Sequence, residues 1–383
     1  MIRRQAETRL QKLALQFPIV SLTGPRQSGK TTLVRHVFSE HTYVSLENPD
    51  ELDFATEDPK GFLGRFSQGV ILDEVQRAPK LFSYLQELVD TDRKAGHWIL
   101  TGSEDFLLNN HISQSLAGRT GICRLYPCGI SELADQLEPQ WTKQAVKGFY
   151  LEPQTPTFDA REWHRSYLQT YVERDVRNLL NIGDLTQFTR FLRLCARRSG
   201  QLIKYNSLAI DAGISQPTAK KWLSVLVASG LVFLLEPYYE NFNKRIIKMP
   251  KLYWVDSGLL CYLLQIYSAE DLDMHPARGA IFESMIVAEH FKHKHHSGGF
   301  QELYFWRDHS GHEIDLLILE ERKFKIKEIK AAQTVLSEHF KALKQMRTII
   351  NEKKEATFHL IYSGKENYCR QDMLVEGWKD SLK

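Results

Sequence analysis

Short apolar runs that end in polar or glycine residues mark the first third of the chain. Residues 18–22 and residues 70–72 form two such runs, and the letters HWIL before Thr101 form a third. Each has the length of a buried β-strand, and the first is followed by a glycine-rich turn and an amphipathic helical pattern. Strands that alternate with helices predict an α/β fold.

A different pattern occupies the middle of the chain, where two short helical patterns flank a glycine. The first helix is predicted to end at Ala212, and Gly213 suits the tight turn that follows. Ser215 is predicted to cap the second helix. Two short apolar strands follow at residues 231–235 and 252–255. This order predicts a helix-turn-helix with a wing.

Two further segments precede this module. Residues 136–157 show little periodicity and contain several prolines, so they are predicted to form a linker. A long helix is predicted from Trp163 onward. Its expected apolar stripe for packing between domains consists of Tyr167, Tyr171, Val172 and Val176.

Apolar and charged positions alternate with a period of two near the C-terminus, on either side of Glu321 and Arg322. A hairpin turning at these two residues pairs each residue i with residue 643 − i. Because side chains on a strand alternate between faces, one face is apolar except for charges at one end. That face carries Asp315, Leu317, Leu319, Phe324, Ile326, Glu328 and Lys330.

The turn after the first strand has a complete phosphate-binding pattern, Gly-x-x-x-x-Gly-Lys-Thr. Its glycines allow a tight turn whose backbone amides point at phosphates. Lys30 is expected to reach the terminal phosphates, and the Thr31 hydroxyl to ligate Mg²⁺. The predicted nucleotide-binding residues are Gly24, Pro25, Arg26, Gln27, Ser28, Gly29, Lys30, Thr31 and Thr32.

Two adjacent carboxylates follow the second strand. Asp73 is expected to hold the Mg²⁺, while Glu74 orients or deprotonates the attacking water. After the third strand, Ser103 is the candidate for sensing the last phosphate, and a simple turn residue is the alternative. Arg119 is a candidate arginine finger on a neighbouring subunit, and a surface or ion-paired arginine is the alternative reading.

The charged end of the hairpin is the second candidate site. Two carboxylates placed opposite each other repel, which disfavours Asp315 and Glu328 as pure structure. A divalent cation would compensate this repulsion, and Lys330 points to the same side. Glu283 adds a third carboxylate on the apolar face of an upstream helix. The alternative is an internal salt bridge of Lys330 with Asp315 or Glu328.

Composition narrows the class of protein. The 383 residues are 43% hydrophobic and 25% charged, as in ordinary soluble domains, and no apolar run is long enough to span a bilayer. Five cysteines without CxxC spacing fit a reducing cytoplasm.

The net charge of +3 conceals a basic segment: residues 190–251 carry eleven Lys or Arg and three acids. Either a polyanion partner or a solvated basic surface explains this segment.

The segments LTGPRQSGKTTL, VILDEVQRAP, ILTGS and SLAGR resemble the AAA-type P-loop ATPases of bacteria and archaea that carry a C-terminal domain of unknown function. The resemblance implies an additional-strand ATPase sheet served by Lys30, Thr31, Asp73 and Glu74. The order helix-Glu, hairpin Asp, then Glu-x-Lys resembles PD-(D/E)xK nucleases. That resemblance implies Asp315 and Glu328 as metal ligands, Lys330 as the catalytic lysine and Glu283 as a supporting acid.

These observations predict an α/β protein with a P-loop ATPase domain (1–135), a linker and helical connector (136–189), a winged-helix-like domain (190–270) and a nuclease-like domain (271–383). The expected function is Mg²⁺-dependent ATP hydrolysis coupled to action on nucleic acid, with DNA favoured over RNA. The protein is expected to be cytoplasmic, to form a homo-oligomer and not to enter membranes. Gln216, Thr218, Lys220 and Lys221 lie where a recognition helix would meet a major groove. The alternatives are an ATP-driven switch or scaffold with an inactive nuclease-like domain, a DNA-binding regulator that reads sequence through Gln216 to Lys221, or a winged helix used only for packing.

Overall fold

The computed structural model describes residues 2–103, 116–170, 185–238, 249–350 and 355–382. These residues form two units, each with its own sheet. The first unit comprises the residues up to 128 together with 228–230 and 295–299, and the second comprises the rest. Within the described ranges, no helix has the length and apolar character that crossing a membrane requires.

A five-stranded parallel sheet forms the centre of the first unit. Its strands are β1 (Ile19–Gly24), β2 (Thr42–Ser45), β3 (Val70–Asp73), β4 (Trp98–Ser103) and β5 (Thr120–Arg124), in the order β2-β3-β4-β1-β5. The three apolar runs of the sequence become β1, β3 and β4, because strands covered on both faces have few polar positions. β4 lies between β1 and β3, as an additional-strand sheet requires.

Helices supply the apolar side chains that cover both faces of this sheet. They are α1 (Ala6–Gln16), α2 (Lys30–Val37), α3 (Pro49–Glu57), α4 (Pro59–Gly64) and α5 (Leu81–Thr91). Side chains from α1 and α2 pack with Val20 and Leu22 of β1 in one buried cluster. Side chains from α3, α4 and α5 pack with Ile19 in the other. Neighbouring positions of β1 therefore face opposite layers.

The second unit begins with three short helices, of which the middle one lies where a linker was expected. They are α6 (Ile130–Leu133), α7 (Trp141–Lys147) and α8 (Ala160–Tyr167). Residues 141–150 are largely buried: Trp141 packs edge-on against Phe282 at 4.8 Å, and the Phe149 N–H donates to Asp256 Oδ2 at 2.6 Å. Aromatic packing and buried hydrogen bonds thus order a segment that lacks helical periodicity. Of the predicted apolar stripe, Tyr171, Val172 and Val176 lie outside the described residues.

Two helices joined by a short turn, and strands that pair nearby, occupy the middle segment. The elements are α9 (Leu185–Arg197), β6 (Gln201–Leu202), α10 (Tyr205–Ala212), α11 (Gln216–Ala228), β7 (Val232–Pro237) and β8 (Lys251–Trp254). Gly213 ends α10 in the left-handed region with φ 72°. The Ser215 hydroxyl accepts a hydrogen bond from the Thr218 N–H at 3.2 Å, which caps α11. β7 and β8 pair antiparallel.

A mixed nine-stranded sheet dominates the second unit, in the order β13-β14-β12-β11-β10-β9-β7-β8-β6. The remaining elements are α12 (Ser257–Leu263), α13 (Ala269–Met274), α14 (Arg278–Ser297), β9 (Glu302–Arg307), β10 (Glu313–Glu320), β11 (Lys323–Lys330), α15 (Lys341–Ile349), β12 (Ala356–Tyr362), β13 (Tyr368–Arg370) and β14 (Met373–Gly377). β7 pairs in parallel with β9. The strands β7 and β8 therefore belong to the same sheet as the hairpin strands, and this sheet continues across position 270.

The hairpin of β10 and β11 has the predicted register. Leu317 pairs with Ile326, and the turn residues Glu321 and Arg322 both have positive φ. Leu317 and Ile326 belong to the apolar cluster that also receives side chains from α15. Ile314 was expected on the opposite face, yet it joins this cluster too. A β-bulge between Ile314 and Leu317 in the pairing with β9 accounts for the difference, because an extra residue reverses the alternation.

Candidate functional site

The loop after β1 has the geometry of a phosphate-binding turn. Gly24 has φ 151°, and a Cβ placed there would lie 2.0 Å from the carbonyl oxygen of Leu125, so only glycine fits. Gly29 has φ 89° and directly precedes α2. The Lys30 ammonium is buried and donates to the carbonyl oxygens of Gly24 and Pro25, each at 2.9 Å. The loop therefore curls around its own lysine.

Asp73, at the end of β3, is the centre of a hydrogen-bond cluster. The Thr31 hydroxyl donates to Asp73 Oδ2 at 2.9 Å, and the Tyr43 hydroxyl donates to the same oxygen at 2.7 Å. The Thr101 hydroxyl donates to Oδ1. Burial and the hydrogen bond to Asp73 raise the pKa of Tyr43 to about 12, so Tyr43 remains a donor at neutral pH. Three neighbouring strands thus fix the carboxylate beside Thr31.

Glu74 follows immediately in a left-handed conformation, with φ 56°. Its Oε2 accepts a hydrogen bond from the Gln76 side-chain amide at 2.5 Å. Burial raises the pKa of Glu74, while the nearby charge of Lys30 lowers it. A carboxylate with a raised pKa beside a phosphate loop is suited to accepting a proton.

The other predicted residues of this unit have varied surroundings. Arg119 donates to Asp90 through two nitrogens, at 2.6 and 2.7 Å, which matches the ion-paired alternative for this residue. Ser103 ends β4, and its side chain lies outside the described part of the chain. Thr32 is exposed on α2, and Ser28 is buried in the loop.

Sequence reasoning missed three residues that support this site. Tyr43 and Thr101 hold Asp73, and Arg4 donates to the carbonyl oxygens of Ser28 and Tyr126, each at 2.7 Å. Thr101 lies near the carboxyl end of a parallel strand, where α/β proteins place residues that bind ligands, so its position in the sequence could have indicated its role. Neither Tyr43 nor Arg4 belongs to a motif, so only the fold reveals them.

The second carboxylate cluster lies at the end of the hairpin, as predicted. The Lys330 ammonium is 2.6 Å from Glu328 Oε1 and 3.9 Å from Asp315 Oδ2. Asp315 also accepts the Ile329 N–H at 2.8 Å. Burial and the charge of Asp315 raise the pKa of Glu328 to about 8. The internal salt bridge, which was the alternative reading of Lys330, is therefore present.

Lys251 of β8 extends this cluster in a way that the sequence did not indicate. Its ammonium is 3.0 Å from Glu283 Oε1 and also contacts the carboxylate of Glu313. The Tyr253 hydroxyl donates to Glu283 Oε1 at 2.6 Å. Burial alone would lower the pKa of Lys251, but Glu283 and the neighbouring acids raise it overall. Glu283 is thus held by a lysine and a tyrosine.

Three family models match consecutive parts of the chain. An AAA domain matches residues 16–134, and two domains of unknown function match residues 140–270 (DUF8612) and 278–378 (DUF4143). The uncharacterized proteins Rv2008c of Mycobacterium tuberculosis and Mb2031c of Mycobacterium bovis are each 30% identical over 386 residues. The alignment covers 97% of this chain and 82% of each relative.

The chain belongs to the family of these two mycobacterial proteins. Its first part is an AAA-type P-loop ATPase domain.

Solved structures share this fold only loosely. The Walker-type ATPase PABY2304 of Pyrococcus abyssi is 17% identical, with 69% of this chain and 96% of that chain covered and a TM-score of 0.42. The Holliday junction branch migration motor RuvB of Thermotoga maritima is 19% identical, with 60% and 88% covered and a TM-score of 0.27.

The two carboxylate sites differ in how well they fit a metal ion. Thr31 and Asp73 present a hydroxyl and a carboxylate oxygen 2.9 Å apart, a donor set that suits Mg²⁺. At the hairpin, ammonium groups already contact the carboxylates, and no three His, Cys, Asp or Glu of the described residues come together in a way that could hold a metal. The second cluster therefore does not fit a metal ion in this arrangement, and the metal-ligand roles of Asp315 and Glu328 stay predictions.

Proposed function

We propose that this protein hydrolyses ATP in a Mg²⁺-dependent reaction at the loop after β1. The observation that carries the proposal is the hydrogen bond between Thr31 and Asp73, with Glu74 next to it. P-loop ATPases use this combination to hold Mg²⁺ beside the terminal phosphates. The family match of the first part supports the same conclusion.

Each side chain has a distinct role in this proposal. Lys30 exchanges its two carbonyl contacts for phosphate oxygens, while the loop amides bind the remaining phosphate charge. Thr31 and Asp73 would hold the Mg²⁺, which neutralises charge that develops on the phosphates. Glu74 orients the attacking water and accepts its proton, and the hydrogen bond from Gln76 fixes the direction of the carboxylate.

ATP turnover of Lys30→Ala and Glu74→Gln tests this proposal. Both variants should lose at least about a hundredfold of the wild-type rate, since each removes a group that acts on the reacting phosphate. Glu74→Gln should retain ATP binding, which a fluorescent ATP analogue reports. Wild-type turnover no greater than that of the two variants would reject ATP hydrolysis.

A second part of the proposal concerns nucleic acid. The capped helix α11 exposes Gln216, Lys220 and Lys221, while Thr218 is half-buried. An exposed, basic helix after a tight turn is suited to contacting DNA in the manner of a winged helix. Charge reversal at Lys220 and Lys221 should weaken binding of duplex DNA without changing the basal ATPase rate.

The second carboxylate cluster consists of Glu283, Asp315, Glu328 and Lys330, and we call it the hairpin cluster. Cleavage of nucleic acid by this cluster is the further step of this proposal, and the order of these four residues along the chain supports it. Plasmid DNA incubated with Mg²⁺ or Mn²⁺ provides the assay. Wild-type cleavage that Lys330→Ala abolishes would support a nuclease.

An ATP-driven switch or scaffold is the second candidate function, and one observation favours it. Lys330 and Lys251 already form ion pairs with carboxylates of the hairpin cluster, and these ion pairs hold the carboxylates together without a metal. If neither wild type nor Lys330→Ala cuts DNA while both hydrolyse ATP and bind DNA, the switch is the correct assignment.

Assembly into a homo-oligomer in the cytoplasm completes the proposal. Arg119 would reach the nucleotide of a neighbouring copy only after its ion pair with Asp90 breaks. An ATPase rate per protein molecule that rises with protein concentration for wild type, but not for Arg119→Ala, would support this role. If the ATPase rates of wild type and Arg119→Ala depend on protein concentration in the same way, Arg119 does not act on the nucleotide of a neighbouring copy.

A further inference from the structure

Helix α9 separates apolar and basic side chains onto opposite faces. Phe188 and Phe191 are fully buried, and both rings pack edge-on against Trp222 of α11, at 5.4 and 5.3 Å. Arg190 and Arg193 lie on the other side of α9 and are exposed. The aromatic contacts fix the rotation of α9, so its basic face is held toward solvent.

This basic face borders an open surface cavity of about 630 Å³. Three arginines of α9 line it at positions i, i+3 and i+7, a spacing that aligns side chains along one face of a helix. With a rise of about 1.5 Å per residue, the row extends for roughly 10 Å. The lining residues are Thr186, Thr189, Arg190, Arg193, Leu194, Arg197 and Asp211.

The charge of this row is uncompensated in the described part of the chain. Asp211 is the acid in the lining, and it pairs with Arg198, which is not part of the row. Among the described residues, no carboxylate lies within ion-pair distance of Arg190, Arg193 or Arg197. Three guanidinium groups without partners around a concave surface attract an anion with several charges.

We propose that the α9 arginine row, defined as Arg190, Arg193 and Arg197, binds the phosphodiester backbone of a nucleic acid. Guanidinium groups match phosphate oxygens in pairs, and the row is long enough to contact more than one phosphate of a strand. This inference rests on the nucleic-acid partner proposed above, and it adds a second contact surface besides α11.

The lining favours a polynucleotide over a free nucleotide. The lining residues include no aromatic ring on which a single base would stack and no glycine loop that would enclose a terminal phosphate. Contacts to phosphate alone carry no sequence information. The row therefore contributes affinity that is strongly dependent on salt and independent of sequence.

Binding of a fluorescein-labelled DNA duplex of about 20 base pairs, measured across a range of KCl concentrations, tests this inference. The triple variant Arg190→Gln, Arg193→Gln, Arg197→Gln should bind more weakly, and the slope of log K against log[KCl] should become shallower by about 2 to 3, since each lost phosphate contact removes about 0.9. The ATPase rate without DNA should stay unchanged, which also shows that the variant folds.

Helix α15 provides a matched control. Lys341, Lys344 and Arg347 are also exposed on one helix, so their change to Gln removes the same charge from a different surface. The control variant should keep the wild-type slope. An equal loss in both variants would overturn the inference, because general attraction by net charge would then explain the binding.

Further outcomes separate this inference from the proposed function. If wild type binds DNA and the α9 variant has the same slope, the nucleic-acid partner stands and the α9 row is not its contact. If wild type does not bind DNA, both assignments fail. Arginine-dependent binding of labelled polyglutamate without binding of DNA would identify an acidic protein as the partner and overturn the inference.

Discussion

Removing the Tyr43 hydroxyl tests whether the hydrogen bonds around Asp73 position it for Mg²⁺. In Tyr43→Phe, Asp73 Oδ2 loses a donor at 2.7 Å but keeps Thr31. When Thr31 turns toward a metal ion, Thr101 becomes the remaining support of the carboxylate. We therefore expect the variant to bind Mg²⁺ more weakly and to hydrolyse ATP almost normally once Mg²⁺ is saturating.

The size of the effect follows from the hydrogen bond. A hydrogen bond to a charged acceptor contributes about 1.5–3 kcal/mol, and the lower limit applies because Tyr43 is only partly buried. About 1.4 kcal/mol corresponds to tenfold in an equilibrium constant, so half-saturation should require about ten times more Mg²⁺. Groups that support metal ligands typically contribute about 10–100-fold to metal affinity, which agrees.

Steady-state ATPase rates measured at increasing Mg²⁺ and constant ATP provide the assay. Tyr84→Phe is the matched control, since Tyr84 is 36% exposed on α5 and is not among the described residues that donate to Asp73. The control should keep the wild-type midpoint. Equal Mg²⁺ midpoints for Tyr43→Phe and Tyr84→Phe would refute the positioning role, and so would a lower rate of Tyr43→Phe that saturating Mg²⁺ does not restore.

Three further predictions concern stability. The pKa of Glu328 is about 8 in the folded protein and 4.5 ordinarily. Protonated Glu328 therefore contributes to the free energy of unfolding below pH 4.5, and this contribution is lost as the pH rises through 8. Thermal melts should thus show the stability of Glu328→Gln rising relative to wild type between these pH values, by up to about 5 kcal/mol; a difference that stays constant with pH would contradict this. Lys251→Met should destabilise by about 3–5 kcal/mol in urea denaturation, since it leaves Glu283 without its ammonium partner, and adding Glu283→Gln should restore part of the loss. Additive effects of these two substitutions would show that the pair is not coupled. Gly24→Ala should cost at least about 2 kcal/mol, since its Cβ overlaps the Leu125 carbonyl; a wild-type melting temperature would contradict that geometry.

Local patterns were sufficient to predict β1, β3 and β4 of the first sheet and the register of the hairpin. Leu317 and Ile326 pair as expected because alternation and turn position together determine a two-stranded register. Residues 136–157 could not be predicted in this way. Their order comes from distant partners such as Phe282 and Asp256, which no local pattern identifies. Tyr43 was missed for the same reason, since its role depends on the pairing of β2 with β3.

Charge balance at the hairpin cluster links its structure to the choice between nuclease and switch. Four carboxylates meet three cationic groups there: Glu283, Glu313, Asp315 and Glu328 against Lys251, Arg307 and Lys330. One negative charge is in excess, and the raised pKa of Glu328 means that a proton compensates it near neutral pH. A divalent cation would have to displace that proton or an ammonium group. Cleavage that depends on a metal should therefore increase as pH rises through about 8, whereas a switch has no reason to depend on this ionisation. Lys251 and Arg307 together neutralise Glu283 and Glu313, so Lys330 is shared between Asp315 and Glu328, and the proton on Glu328 decides the charge of the cluster.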